Sequence, residues 1–251
     1  MIERIKKAAD IIKNAKRITV LTGAGISKAS GIPTFRDKNG LWRKYSIEEF
    51  ATPQAFKENP KKVWQWYNQR KKLIKQAKPN KAHYALAELE ELFKDGFALI
   101  TQNIDNLHRL ASNRRIYELH GNIFQTKCLV CDKVYLDEDV YEDEQLPPAC
   151  RYCKSKKTRP NVVWFGESLD TSMIKKAMGL AATCDVFISI GTSGAVMPVA
   201  KLPQIAQYMG RYVVEFNADY STISMFADDV IIGKAEETLP LLVSLIKRGR
   251  G

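Results

Sequence analysis

The stretch Arg17–Asp37, RITVLTGAGISKASGIPTFRD, limits what this chain can fold into more than any other. A short β-rich run, Ile18-Thr19-Val20-Leu21, feeds straight into Gly23-Ala24-Gly25, followed by Ser27, Ser30 and the turn Gly31-Ile32-Pro33. A buried parallel strand that ends in a glycine turn is how an α/β sheet presents backbone N–H groups to a phosphate. Glycine lets the main chain come close, and the helix that follows points its positive end at the anion. The G-x-G is present, but Lys28 stands where the third glycine of a dinucleotide fingerprint would fall. On its own the motif suits a nucleotide site or a plain strand-to-helix turn equally well. The polar residues Ser27, Thr34, Arg36 and Asp37, all close to the glycines, favour the nucleotide site.

The same pattern of apolar run and polar tip recurs. Phe97–Thr101 leads into Gln102-Asn103-Ile104-Asp105, and Ile116–Leu119 into His120-Gly121. Val186–Ile190 leads into Gly191-Thr192-Ser193, Tyr212–Phe216 into Asn217, and Val230–Ile232 into Gly233. Helical periodicity lies between them: Ile2, Ile5, Ala8 or Ala9 and Ile12; Ala85, Leu86, Leu89, Leu92 and Phe93; Met173–Leu180; and Glu236–Lys247. Strands alternating with helices predict an α/β fold with a doubly wound, parallel, Rossmann-like sheet. Its strand tips at Gly23–Ser27, Gln102–Asp105, Gly191–Ser193 and Asn217 would line one crevice.

Residues 37–80 and 121–159 interrupt the alternation. Residues 1–36, 81–120 and 160–251 are therefore expected to form the dinucleotide-binding domain, with the two interruptions folding together as a smaller one. In 37–80 the composition is helical and aromatic, and Asn59-Pro60 suits a helix start. Val63, Trp64, Tyr67, Leu73 and Ile74 mark one face of that helix. In 121–159, Cys128-Leu-Val-Cys131 and Cys150-Arg-Tyr-Cys153 stand 18 residues apart. Two such knuckles hold four thiolates around one structural zinc and leave no open position for catalysis. The intervening Asp137-Glu138-Asp139 and Glu142-Asp143-Glu144 read as a solvated acidic loop. Cys184 reads as a small buried hydrophobe.

No apolar run reaches membrane-spanning length, and Met1–Lys7 lacks a signal-peptide core, so a cytoplasmic protein with no membrane partner is expected. Lys and Arg outnumber Asp and Glu by 39 to 28. No basic block with interleaved aromatics accompanies that surplus, so nucleic acid is not required as a partner.

In order along nearly the whole chain, GAGISKASGIPTFRD, TQNIDNLH, ELHG, the two Cys pairs, VVWFGE, GTS and EFNAD closely resemble the signature of the sirtuins, the NAD-dependent protein lysine deacylases. The resemblance implies that NAD is consumed as co-substrate while an acyl group passes from lysine to ADP-ribose and nicotinamide is released. It implies that His120 is the general base and that Asn103 and Asp105 orient the nicotinamide ribose, its carboxamide and a water. Gly23, Ala24, Gly25, Ser27, Thr34, Phe35, Arg36, Gln102 and Ile104 would contact the cofactor, together with Gly191, Thr192, Ser193, Asn217, Ala218 and Ala235. Val163, Trp164, Phe165 and Gly166 resemble the strand edge that takes an acyl-lysine substrate as an added β-strand. Basic nucleoid or chromatin proteins are compatible substrates.

Ala51, Tyr67 and Arg70 resemble the subclass that acts on succinyl- and malonyl-lysine. There the alanine widens the acyl pocket, and the tyrosine and arginine hold the distal carboxylate. Tyr67 and Arg70 are three apart on a predicted helix, so they reach the same side. Arginine can meet a carboxylate with two parallel hydrogen bonds. Two other functions compete with deacylation. A protein ADP-ribosyltransferase would use the same NAD site without needing His120 for acyl transfer. A non-enzymatic zinc-ribbon binding module would leave the polar strand tips without a purpose.

Overall fold

The computed structural model describes residues 1–34 and 46–249. Among them the strands are β1 (Ile18–Thr22), β2 (Phe97–Thr101), β3 (Ile116–Glu118), β4 (Gly121–Cys128), β5 (Val134–Leu136), β6 (Thr158–Val162), β7 (Val186–Ile190), β8 (Tyr212–Asn217) and β9 (Asp229–Ile232). Six of these join in parallel in the order β3-β2-β1-β7-β8-β9. Every residue of β1, β2 and β7 is buried, which is why these strands read as unbroken apolar runs. The strand order reverses at β1, where Leu21 has Ile100 on one side and Ser189 on the other. Such a reversal opens a crevice beyond the carboxyl ends of the strands.

The helices are α1 (Ile2–Asn14), α2 (Ile47–Phe50), α3 (Pro53–Glu58), α4 (Pro60–Gln76), α5 (Lys81–Phe93), α6 (Leu107–Leu110), α7 (Thr171–Thr183), α8 (Leu202–Tyr208) and α9 (Ala235–Arg248). Successive strand residues point to opposite faces, so each face collects its own helices. Val20, Leu99 and Val214 pack with Ile5 and Ile12 of α1, Leu86 and Leu89 of α5, and Leu239 and Leu242 of α9. Leu21, Ile100 and Val213 pack with Ala177 and Ala181 of α7 and Leu202 and Ala206 of α8. No described helix is long and apolar enough to cross a membrane.

The remaining strands form an antiparallel sheet, β5-β4-β6. A third core joins it to the helical segment: Ala55, Val63 and Tyr67 pack with Ile123, Phe124, Val162 and Trp164. As expected, Asn59 starts α4, its side chain accepting the Lys62 N–H at 2.9 Å. Leu73 is a correction. It is exposed, and the inward face carries Trp66, Asn68 and Lys71 instead.

The acidic loop is a second correction. Glu138, Asp139 and Glu142–Glu144 are exposed, but Asp137 is fully buried. Thr126 and Tyr141 donate hydroxyl hydrogen bonds of 2.5 and 2.7 Å to its carboxylate. Lys71, also buried, stands 3.9 Å from that carboxylate. It donates to the main-chain oxygens of Asp137 and Asp139 at 2.8 and 3.2 Å. A paired charge survives burial where a lone one does not.

Candidate active site

The strand ends and the second sheet border a single cleft of about 1880 Å³. That is roughly twice the ~1,000 Å³ upper range of a pocket for one small ligand, leaving room for a dinucleotide beside a peptide. From the parallel sheet it takes Gly23, Ala24, Gly25, Thr34, Gln102, Asn103, Ile104, Gly191, Thr192, Ser193, Asn217, Ala218 and Ala235. Ala51, Tyr67, Arg70 and Val163–Gly166 line it from the other side. Phe35 and Arg36 lie outside the described residues.

The glycines also pack one strand end against its neighbour. The N–H of Gly23 donates to Ile190 O at 3.0 Å, and that of Gly25 to Gly191 O at 2.8 Å. A Cβ on Gly25 would come within 2.7 Å of the Gly191 Cα, and Gly191 itself has φ +59°. These two amides are thus committed to docking one strand-end loop on its neighbour, and no side chain fits between them.

Ser27 and Asp105 are buried just behind the residues that line the cleft. Ser27 is fully buried and donates to the Asp105 carboxylate at 2.7 Å; the Leu107 N–H donates to the other oxygen at 3.0 Å. Burial raises the Asp105 pKa, and these hydrogen bonds oppose the rise. Asn103 links this layer to the cleft. Its Nδ2 donates to Gly23 O at 3.0 Å, which leaves Oδ1 as the side-chain atom able to meet a ligand.

His120 follows β3 and meets the carbonyl of Gln102 through Nδ1 at 3.0 Å. A carbonyl only accepts, so Nδ1 carries the proton and Nε2 keeps its lone pair. Burial lowers the pKa of the ring, with the Gln102 carbonyl opposing, so the imidazole is neutral at pH 7. The other histidines are not at the cleft. His83 and His108 are buried behind it, rings 5.0 Å apart.

On the far wall, Ala51 O accepts the Phe165 N–H at 2.9 Å, and the Val163 N–H donates to His120 O at 3.0 Å. The strand leading here ends at Val162, and Val163–Gly166 lines the cleft as an extended run and turn. Tyr67 is buried and Arg70 half-buried, its guanidinium 4.6 Å over the Trp66 ring. Several lining residues escaped the sequence reading: Leu169, Val196–Pro198, Asp219–Thr222, Met225 and Lys234. Position is the signal for half of them: Asp219–Thr222 directly follow Asn217-Ala218, and Lys234 follows Gly233.

Away from the cleft, the sulfurs of Cys128, Cys131, Cys150 and Cys153 all lie within 4.8 Å of one another. The Cys128–Cys153 and Cys131–Cys150 separations are 3.5 and 3.8 Å. A tetrahedron with ~2.3 Å zinc–sulfur arms has edges of about 3.8 Å, so the four thiols fit a structural zinc.

The model of the Sir2 family matches residues 23–198. The chain belongs to the Sir2 family. This Sir2 protein is 46% identical over 243 residues to NAD-dependent protein deacylase 2 of Pyrobaculum aerophilum, covering 96% of this chain and 95% of that one. Its fold is similar to a Sir2 homologue solved as an NAD complex, with TM-score 0.90, 42% identity and coverage of 98% and 94%. It is also similar to a Sir2 protein bound to a myristoylated histone peptide, with TM-score 0.79, 37% identity and coverage of 100% and 99%.

Proposed function

We propose that this Sir2 protein is an NAD-dependent protein lysine deacylase that moves the acyl group of a modified lysine to ADP-ribose and releases nicotinamide. The observation that carries this reading is His120, a neutral imidazole at the cleft with its proton fixed on Nδ1 by Gln102. NAD, when bound, supplies the electrophilic ribose carbon and the leaving group. His120 Nε2 takes a proton from a ribose hydroxyl held beside it. Asn103 orients a ligand through Oδ1, and Asp105 and Ser27 hold the loop that carries it. Gln102, Thr192, Ser193, Asn217 and Ala218 line the ADP-ribose side, and Val163–Gly166 the substrate side. A transferase to protein side chains would share the NAD contacts but needs no base poised this way.

The acyl pocket, in this reading, accepts dicarboxylic acyl groups such as succinyl and malonyl. Ala51 is small, Tyr67 and Arg70 line the same wall, and burial lowers the Arg70 pKa, a cost that a carboxylate ligand offsets. Protein substrates enter as extended segments, nucleoid or chromatin proteins among them, in the cytoplasm, where five unpaired cysteines stay reduced. Residues 37–80 and 121–159 act as the small domain, stapled by zinc that takes no part in the chemistry.

Incubation with NAD and a pair of peptides, acetyl- and succinyl-lysine on one sequence, tests both statements through nicotinamide release. Activity on neither peptide overturns the enzyme. Arg70→Met should lower the succinyl-to-acetyl ratio of kcat/KM by about 10- to 100-fold, the roughly 1.5–3 kcal/mol of a hydrogen bond to a charged group. An unchanged ratio returns Arg70 to a structural role.

A further inference from the structure

Behind Tyr67 lies a chain of contacts that the reaction above does not use. The indole N–H of Trp164 donates to the Tyr67 hydroxyl oxygen at 3.1 Å. Indole only donates, so this bond occupies an oxygen lone pair and leaves the phenolic hydrogen to go elsewhere. Among the described residues no acceptor takes that hydrogen, and Tyr67 lines the cleft.

Trp164 is itself held hard. The Arg159 guanidinium lies 3.5 Å over its ring. Arg159 is paired with Glu167 through bonds of 2.5 and 2.9 Å, and donates to Val162 O at 2.8 Å. Glu167 closes the loop by accepting the Trp164 backbone N–H at 2.8 Å. Stacking and a bidentate pair together give the indole one orientation. Although burial works against it, the hydrogen bonds from Arg159 and Trp164 hold the Glu167 carboxyl below its ordinary range, so the pair stays charged.

We propose that Trp164, clamped by Arg159 and Glu167, is a positioning residue that makes Tyr67 a hydrogen-bond donor to the distal carboxylate of a dicarboxylic acyl-lysine. The inference rests on the acyl preference proposed above and goes beyond it by naming what sets the direction of the Tyr67 proton. Burial pushes the Tyr67 pKa up to about 12, so the hydroxyl keeps that proton at working pH. Arg159 sits on β6 opposite Lys127, next to the pairing of Thr158 with Cys128, so the clamp is anchored at the cysteine cluster.

The test is a double-mutant cycle with Trp164→Phe, which keeps an aromatic ring and removes the N–H, and Tyr67→Phe, read on succinyl- and acetyl-lysine peptides. Both peptides are expected to lose rate, because both residues line the cleft; the reading is in their ratio. Trp164→Phe should lower the succinyl-to-acetyl ratio of kcat/KM about tenfold, chiefly through KM, and should add nothing once Tyr67 is Phe. Arg159→Lys, which keeps the charge and loses the fork, should move the ratio the same way. Zinc content and NAD binding report that each variant is folded. Equal losses on both peptides, or effects that add in the double variant, overturn the positioning role while leaving the acyl preference standing. A wild-type enzyme inactive on succinyl-lysine overturns both.

Discussion

Burial lowers the pKa of all three histidines, but they do different work. His120→Ala should cut deacylation by about 10²–10⁴-fold, the usual contribution of a placed acid–base group, with NAD binding and zinc content unchanged. Activity within tenfold of wild type removes it from the mechanism. His83 bears on stability. Its Nδ1 accepts the Asn80 N–H at 3.2 Å, closing the cap of α5, and burial brings its pKa down to about 4. The unfolded chain, at about 6.5, takes up a proton before the folded one does. The contribution is therefore fully present above pH 6.5 and is lost as pH falls toward 4, about 3 kcal/mol at 1.36 kcal/mol per pKa unit. Urea unfolding across that window should show the loss. His83→Gln, which keeps a capping side chain and cannot titrate, should flatten the slope; a slope unchanged in that variant assigns the loss to other groups.

At the scale of elements, the Lys71–Asp137 contact is the sharpest test of how α4 meets the acidic loop. Asp137→Ala strands a buried ammonium and removes the acceptor of Thr126 and Tyr141. Breaking such a pair costs about 3–5 kcal/mol, readable in the urea midpoint; a loss below about 1 kcal/mol means that water reaches Lys71. The same contact marks where sequence reading stops. β1, β2 and β7 were legible to within a residue, because strands buried on both faces have no alternation to misread. Asp137 was not, because a run of acids carries no periodicity that says which one turns inward. The one signal lay far away, in a lysine spaced seven residues from Trp64 on the inner face of α4. Ser27 and Asp105 were placed on the correct loops, but their depth follows from a hydrogen bond between residues 78 apart. The GxG was read for its ligand; that its glycine amides also dock on Ile190 and Gly191 was not legible, because those partners lie more than 160 residues on.

For the whole molecule, the zinc site and the cleft are joined through β6, which starts opposite Cys128 and runs on into Val163–Gly166. Metal analysis should find about one zinc per chain, and Cys150→Ser should release it and lower stability, since a structural zinc contributes folding energy directly. Chelation should raise the KM for peptide before it weakens NAD binding, measured by calorimetry, because the parallel sheet does not pass through the cysteines. Stability and peptide KM that ignore the chelator count against a structural zinc. Lys71 also limits how this molecule can be cut and rejoined. A zinc unit expressed by itself would keep the Asp137 carboxylate and lose its ammonium, while the remainder would keep a lysine folded for a partner it no longer has. The two segments are distant in the chain but inherit one another: a hybrid that borrows residues 121–162 from a relative has to borrow α4 with them.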